Sequence, residues 1–159
     1  MKVLFVCMGN ICRSPMAEGY FRELLAQRAD HLSVVVDSAG THGYHVGSPP
    51  DRRAQAAALR RGIDISTLAA RNVVVTDFDR FDYILAMDRD NLELLREKAG
   101  PARHDRIHLL LDFSRTDQGA DVPDPYYGGK TGFERVFDLI EQAADGLLAE
   151  LEQAMPRKA

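Results

Sequence analysis

The chain contains no tryptophan, only two cysteines, and no apolar run approaching the roughly 20 residues that a membrane-spanning helix requires. Its opening apolar run, Val3–Val6, gives way at once to a polar loop and is too short for a signal peptide. A cytoplasmic protein without membrane contact is expected. Basic residues do not dominate either: 20 Lys and Arg stand against 24 Asp and Glu, for a net charge of -4 at pH 7. Domains that bind nucleic acid by neutralising phosphates are basic overall or carry a dense basic stripe. Here the basic residues are scattered, so no nucleic-acid partner is expected. No Gly-Lys-Ser or Gly-Lys-Thr stands at the spacing a Walker loop needs, and the G-x-G-x-x-G of a dinucleotide fold is absent. The five histidines, His31, His42, His45, His104 and His108, show neither helical ligand spacing nor cysteine partners, so no metal and no other cofactor is expected, and they are assigned no role.

What is present suffices for one domain. With 159 residues and 45% hydrophobic content, a full core needs no disulfide or metal staple. Nothing marks a second domain, and residues 1–155 are read as one unit followed by a short tail at 156–159. Four short β-branched or leucine-rich stretches read as buried strands: Lys2–Cys7, Ser33–Ser38, Asp82–Met87 and Arg106–Asp112. Helical patterns separate them. Ser14 is the expected N-cap of the first, with Pro15 at its first position and a stripe of Met16, Ala17, Tyr20, Phe21, Leu24 and Leu25 running to about Ala29. Asp51–Arg61 and Asp88–Lys98 each end near a glycine, Gly62 and Gly100. The last helix carries Phe133, Val136, Phe137, Ile140, Ala144, Leu147, Leu148 and Leu151 on one face. Strands alternating with helices predict an α/β domain, a parallel sheet covered on both faces.

Both cysteines, Cys7 and Cys12, fall in one short loop, where a bridge between them would staple almost nothing, so their purpose is chemical. That loop leaves the carboxyl end of the first strand, where open parallel sheets bind ligands. A loop closing between strand and helix turns its N–H groups inward as an anion nest, and the helix dipole adds partial positive charge. Gly9 and Asn10 are residue types that tolerate positive φ. The same field favours a thiolate on Cys7; cysteines at helix N-termini and beside cations titrate at about pKa 3.5–7.5, against about 8.5 for a free thiol. Arg13 offers a planar fork that matches a phosphate and its trigonal transition state. Ser14 can donate to the sulfur when it leaves.

The run Cys7-Met8-Gly9-Asn10-Ile11-Cys12-Arg13-Ser14-Pro15 closely resembles the phosphate loop of low-molecular-weight protein tyrosine phosphatases, and the resemblance extends through "DSAGTH" (37–42), "FDYILAMDRDNL" (81–92) and "PDPYYGG" (123–129). It implies a single four-stranded parallel sheet of flavodoxin-like type, hydrolysis of phosphotyrosine through a cysteinyl-phosphate, and no metal. Met8, Gly9, Asn10, Ile11, Cys12 and Ser14 then form the phosphate-binding loop around the catalytic Cys7 and Arg13. By the same resemblance Asp124, held between Pro123 and Pro125, is the general acid, whereas Asp121 reads as a solvated loop charge. Tyr44, Tyr126 and Tyr127 form aromatic pocket walls together with Ile11, and the tyrosine pair is phosphorylated in some relatives.

Ile11 bears on substrate. Related phosphoarginine phosphatases carry Thr at the matching position, and an aliphatic side chain there favours an aromatic ring. Cys12 has two readings, a small buried filler or a redox partner that bonds an oxidised Cys7. Many relatives have a His, supporting the loop asparagine, where this chain has Leu68; how Asn10 and Ser14 are held is left open. Three alternatives compete. Protein-arginine phosphatase activity is weighed by Ile11, arsenate reduction lacks the further cysteines it needs, and a noncatalytic phosphopeptide module is expected to lose Cys7 or Asp124. The expected partner is a phosphotyrosine-containing protein; by resemblance a bacterial tyrosine kinase is one candidate, and secretion without a signal peptide occurs among relatives. The chain is expected to be a monomer or weak homodimer.

Overall fold

The computed structural model describes residues 1–126 and 130–155. Four strands, β1 (Lys2–Cys7), β2 (Val35–Gly40), β3 (Tyr83–Ala86) and β4 (Ile107–Leu109), form one sheet in the order β2-β1-β3-β4, every pair parallel. The order reverses beside β1, with β2 on one side and β3 on the other, so the crevice of the sheet opens at the end of β1.

Alternation along β1 sets the two faces. Val3, Phe5 and Cys7 look into one core, with α1 (Arg13–Arg28), α2 (Arg52–Leu59) and α5 (Lys130–Ala154). Leu4 and Val6 look into the other, with α3 (Asp77–Arg80) and α4 (Arg89–Ala99), where Phe78, Phe81, Leu92 and Leu95 are buried. Each large side chain buried this way contributes about 1.5–3 kcal/mol. All eight predicted stripe residues of α5 are buried. Period two therefore decides more than packing: it points the Cys7 side chain at the start of α1.

Three expectations shift. β2 begins at Val35 rather than Ser33 and runs to Gly40, because it follows β1 in register from Lys2↔Val35 to Cys7↔Gly40. β4 stops at Leu109, since it pairs only with β3, and the chain turns into a 3-10 segment at Leu110–Phe113. Ser14 does not cap α1; the helix starts at Arg13 after Cys12 without a side-chain cap, because the Ser14 hydroxyl is engaged in the loop. By contrast Asp51 caps α2 by accepting from Arg53 N, and Asp88 caps α4 by accepting from Asn91 N. Residues 156–159, the expected tail, lie outside those described.

Candidate active site

The loop after β1 is fixed by its carbonyls. Cys7 O and Met8 O accept from Thr41 N and His42 N at 2.9 Å, and Ile11 O accepts from Asp51 N at 2.8 Å. With carbonyls committed outward, the N–H groups of the closed loop face its interior. Asn10 takes the left-handed turn at φ 57°. Gly9 does not, contrary to expectation; its missing side chain instead makes room for His45, whose Cδ2 would lie 3.0 Å from a Cβ there. Gly40 allows a second close approach, since a Cβ would meet Met8 O at 2.8 Å.

Beneath the loop runs a directed chain of buried hydrogen bonds. Glu18 accepts from the Ser38 hydroxyl at 2.6 Å, and Ser38 Oγ accepts from Asn10 Nδ2 at 3.0 Å. Asn10 Nδ2 also donates to Ser14 Oγ at 2.7 Å, while Asn10 Oδ1 accepts from Arg71 N at 2.9 Å. An amide NH₂ only donates, so Ser14 Oγ accepts from Asn10; it lies 3.0 Å from Cys7 Sγ and 3.5 Å from Ala39 O, and toward a Cys7 thiolate, which can only accept, the hydroxyl is the donor. This is how Asn10 and Ser14 are held without a histidine at position 68: Leu68 packs on the core, and Ser38 and the Arg71 backbone do the holding. Arg71 is itself clamped by Asp37 and the buried Asp77, each at 3.0 Å.

Arg13 is 3% exposed, at the start of α1. Its Nη1 pairs with Asp88 at 2.6 Å and donates to Val122 O at 3.0 Å, and its Nη2 lies 3.7 Å from Asp124. Burial opposes its charge, but the Cys7 sulfur and the Asp88 and Asp124 carboxylates outweigh that and hold it firmly protonated. Asp124, about a third exposed, accepts from Tyr126 N at 3.0 Å, which fixes its carboxyl beside Arg13. Asp121 is exposed but not merely solvated: it accepts from Arg89 N at 3.0 Å at the head of α4.

These groups converge on one cavity of about 210 Å³, the scale of a single side chain rather than of a drug-sized ligand. Cys7, Cys12, Arg13 and Asp124 lie in it with Met8, Gly9 and Ile11, under a rim of Tyr44, His45 and Tyr126. Asn10 and Ser14 stand behind the loop instead, both buried. Tyr127 lies outside the described residues. Both cysteines are free thiols, and Cys12 is pushed well above the usual thiol range by burial, then by the negative charge of Asp51, Cys7 and Asp124. Among the described residues no group of three or more His, Cys, Asp and Glu is placed to hold a metal ion. Sequence reasoning missed Asp88, Ser38, Glu18 and His45. Each lies inside or beside a stretch singled out for another reason, Glu18 on the first helix, Ser38 in 37–42, His45 next to Tyr44 and Asp88 in 81–92.

Comparison with known proteins gives this site its relatives. The family model for "Low molecular weight phosphotyrosine protein phosphatase" matches residues 2–157. The low molecular weight protein-tyrosine-phosphatase YfkJ of Bacillus subtilis is 46% identical over 153 residues, covering 96% of this chain and 97% of its own; its crystal structure superposes with a TM-score of 0.91. A protein tyrosine phosphatase from Entamoeba histolytica is 42% identical, with a TM-score of 0.92 over 97% of this chain and 98% of that one. An arginine phosphatase from Drosophila shares the fold at 34% identity and a TM-score of 0.85, covering 96% of this chain and 98% of its own. A cysteine loop at the strand-order reversal, an arginine buried behind it and a match across nearly the whole length agree: the chain belongs to the low molecular weight phosphotyrosine protein phosphatase family.

Proposed function

We propose that the chain hydrolyses phosphotyrosine in proteins, with Cys7 as nucleophile, Arg13 as phosphate clamp and Asp124 as acid and base. The Cys7 thiolate attacks phosphorus in line while the bond to the phenol oxygen breaks, and Asp124 passes its proton to that oxygen. The loop N–H groups and Arg13 hold the equatorial oxygens. Water then attacks the cysteinyl-phosphate, giving a proton to Asp124; phosphate leaves and the thiolate returns, met by the Ser14 O–H. One observation carries the reading: Cys7, whose sulfur lies 3.0 Å from the Asn10-held Ser14 hydroxyl, shares one cavity with Arg13 and Asp124.

Ile11 in the cavity favours an aromatic ring over a guanidinium, and the Tyr126 rim gives that ring a wall. Residues 1–155 act as one phosphatase domain with 156–159 as its tail. The substrate is a phosphotyrosine protein, a tyrosine kinase being the first candidate, met in the cytoplasm by a monomer or weak homodimer. Cys12 protects Cys7 as its redox partner. Tyr126 and Tyr127 are candidate phosphorylation sites.

The test is phosphate release from phosphotyrosine and phosphoarginine peptides by wild type and Cys7→Ser. Faster turnover of phosphotyrosine, lost in Cys7→Ser, is expected. Preference for phosphoarginine overturns the substrate, and activity surviving in Cys7→Ser overturns the mechanism.

A further inference from the structure

The Asp124 carboxyl stands 3.7 Å from Arg13 Nη2 and accepts from Tyr126 N at 3.0 Å, so its aim depends on how well Tyr126 is held. Behind the Tyr126 ring stands Arg53, in the first turn of α2. Its guanidinium carbon lies 5.4 Å from the centroid of Tyr126 and 4.8 Å from that of Phe133 on α5, so one cation rests against a ring of the acid segment and a ring of the core. Asp51 keeps the guanidinium from sliding. Its Oδ1 accepts from Nε and its Oδ2 from Nη2, each at 3.0 Å, a two-bonded fork. Asp51 is fixed in turn: its N–H donates to Ile11 O of the phosphate loop at 2.8 Å, and its Oδ1 caps α2 by accepting from Arg53 N at 2.8 Å. A continuous path thus joins the loop that carries the nucleophile to the segment that carries the acid, through Ile11, Asp51, Arg53 and Tyr126 to Asp124. Arg53 is not among the residues that line the cavity.

We propose that Arg53 is a positioning residue for the acid: bracing Tyr126 from the Asp51 fork, it sets where the Asp124 carboxyl stands in the cavity and so governs proton delivery to the leaving oxygen. The proposal rests on the phosphotyrosine reading above, in which the P–O bond breaks with its electron pair going to the phenol oxygen and Asp124 supplies the proton. A planar guanidinium lies flat against a ring and meets a carboxylate with two parallel bonds at once, which an ammonium cannot do. Because Arg53 acts through Tyr126, losing it weakens protonation while the nucleophile, the clamp and the loop stay in place. Its effect therefore grows with the leaving group's need for a proton.

The experiment measures kcat/KM on phenyl phosphate, whose leaving oxygen is about as basic as that of tyrosine, and on 4-nitrophenyl phosphate, whose anion leaves unaided. The two rings are nearly the same size, so a change in folding, loop geometry or binding moves both values together. Wild type is compared with Arg53→Ala, Arg53→Lys, Arg52→Ala, Asp124→Asn and the double variant of Arg53→Ala with Asp124→Asn. Arg53→Ala lowers the value on phenyl phosphate about 3- to 30-fold, between the worth of one cation–π contact and that of a well-placed acid, and on 4-nitrophenyl phosphate by less than about twofold. Arg53→Lys, which keeps the stem and the charge, shows the same split in smaller measure, and Arg52→Ala, at an exposed neighbour, shows none. In the Asp124→Asn background Arg53→Ala has no further effect on phenyl phosphate, since no acid is left to aim. The proposal is overturned if neither Arg53 variant shows the split, or if Arg53→Ala adds its full loss to that of Asp124→Asn. Wild type that hydrolyses neither aryl phosphate overturns the phosphotyrosine reading itself; wild type that hydrolyses both, with Asp124→Asn losing both equally, overturns the assignment of the acid and Arg53's role with it.

Discussion

Ser38→Ala tests the buried chain far from the reacting atoms. The substitution removes a 2.6 Å bond to the Glu18 carboxylate and a 3.0 Å bond from Asn10. A hydrogen bond to a charged group contributes about 1.5–3 kcal/mol and a neutral one about 0.5–1.5, so the expected loss is about 2–4 kcal/mol, or roughly 4–16 °C in Tm for a domain of this size. The loss also depends on pH. Burial raises the Glu18 carboxyl above its ordinary value, opposed by the Ser38 bond and then by Arg22, and removing Ser38 raises it further. A group raised in the folded state binds its proton more tightly there than in the unfolded chain. Its stabilising contribution is therefore complete below the unfolded value and is lost as pH rises through the folded one. Because the variant loses more on that rise, the gap between variant and wild type widens from pH 4.5 to pH 7. Urea unfolding of both proteins across that range reads the gap directly. A difference below 1 kcal/mol, or one that is the same at both ends, refutes the argument that Ser38 carries Glu18.

Three further outcomes are expected. Asp124→Asn lowers kcat on a phosphotyrosine peptide about 10²- to 10⁴-fold, and much less on an aryl phosphate whose leaving group needs no proton; steady-state kinetics on the two substrates checks this. Ser14→Ala removes the donor to Cys7 and leaves Asn10 Nδ2 without one acceptor, slowing release of phosphate from the cysteine by about tenfold, the effect of a single bond worth ~1.4 kcal/mol; rapid-quench measurement of the phosphoenzyme reports it. Gly146→Ala drives a methyl into the Phe113 carbonyl, against which α5 packs. Overpacking costs about 1–3 kcal/mol and better helix propensity recovers about 1, so thermal denaturation shows a Tm lower by about 4–8 °C at the upper end of that range.

The strands and helices were legible because their signals are local: period two in Lys2–Cys7, a stripe in α5, Asp51 and Asp88 ahead of their helices. Cys7 and Arg13 were legible because their spacing is a chemical pattern, Asp124 through the family resemblance, and the fold brings all three to one cavity. What escaped was set by partners distant in sequence. Ser14 reads as a cap until Asn10 and Cys7 claim its hydroxyl. Gly9 reads as a positive-φ residue until His45, brought over by the turn after β2, rests on it. Asp88 reads as one more N-cap, and its second oxygen is spoken for only once α4 stands beside α1. Glu18, on a helix face that pattern alone would give to solvent, is 2% exposed because Ser38 and Arg22 await it.

Val122 has a wider consequence. Its N–H donates to Met87 O at 2.8 Å, its carbonyl accepts from Arg13 at 3.0 Å, and its side chain is wholly buried. The segment carrying Asp124 is thus riveted to the end of the sheet two residues before the acid. On the proposed mechanism the acid is held at the mouth of the cavity by the same anchor that holds Arg13, and a phosphomonoester slender enough to reach Cys7 meets both. Discrimination falls to the rim, on side chains that the reaction never uses. Lineages on this scaffold can change diet by altering the doorway while the engine behind it stays untouched.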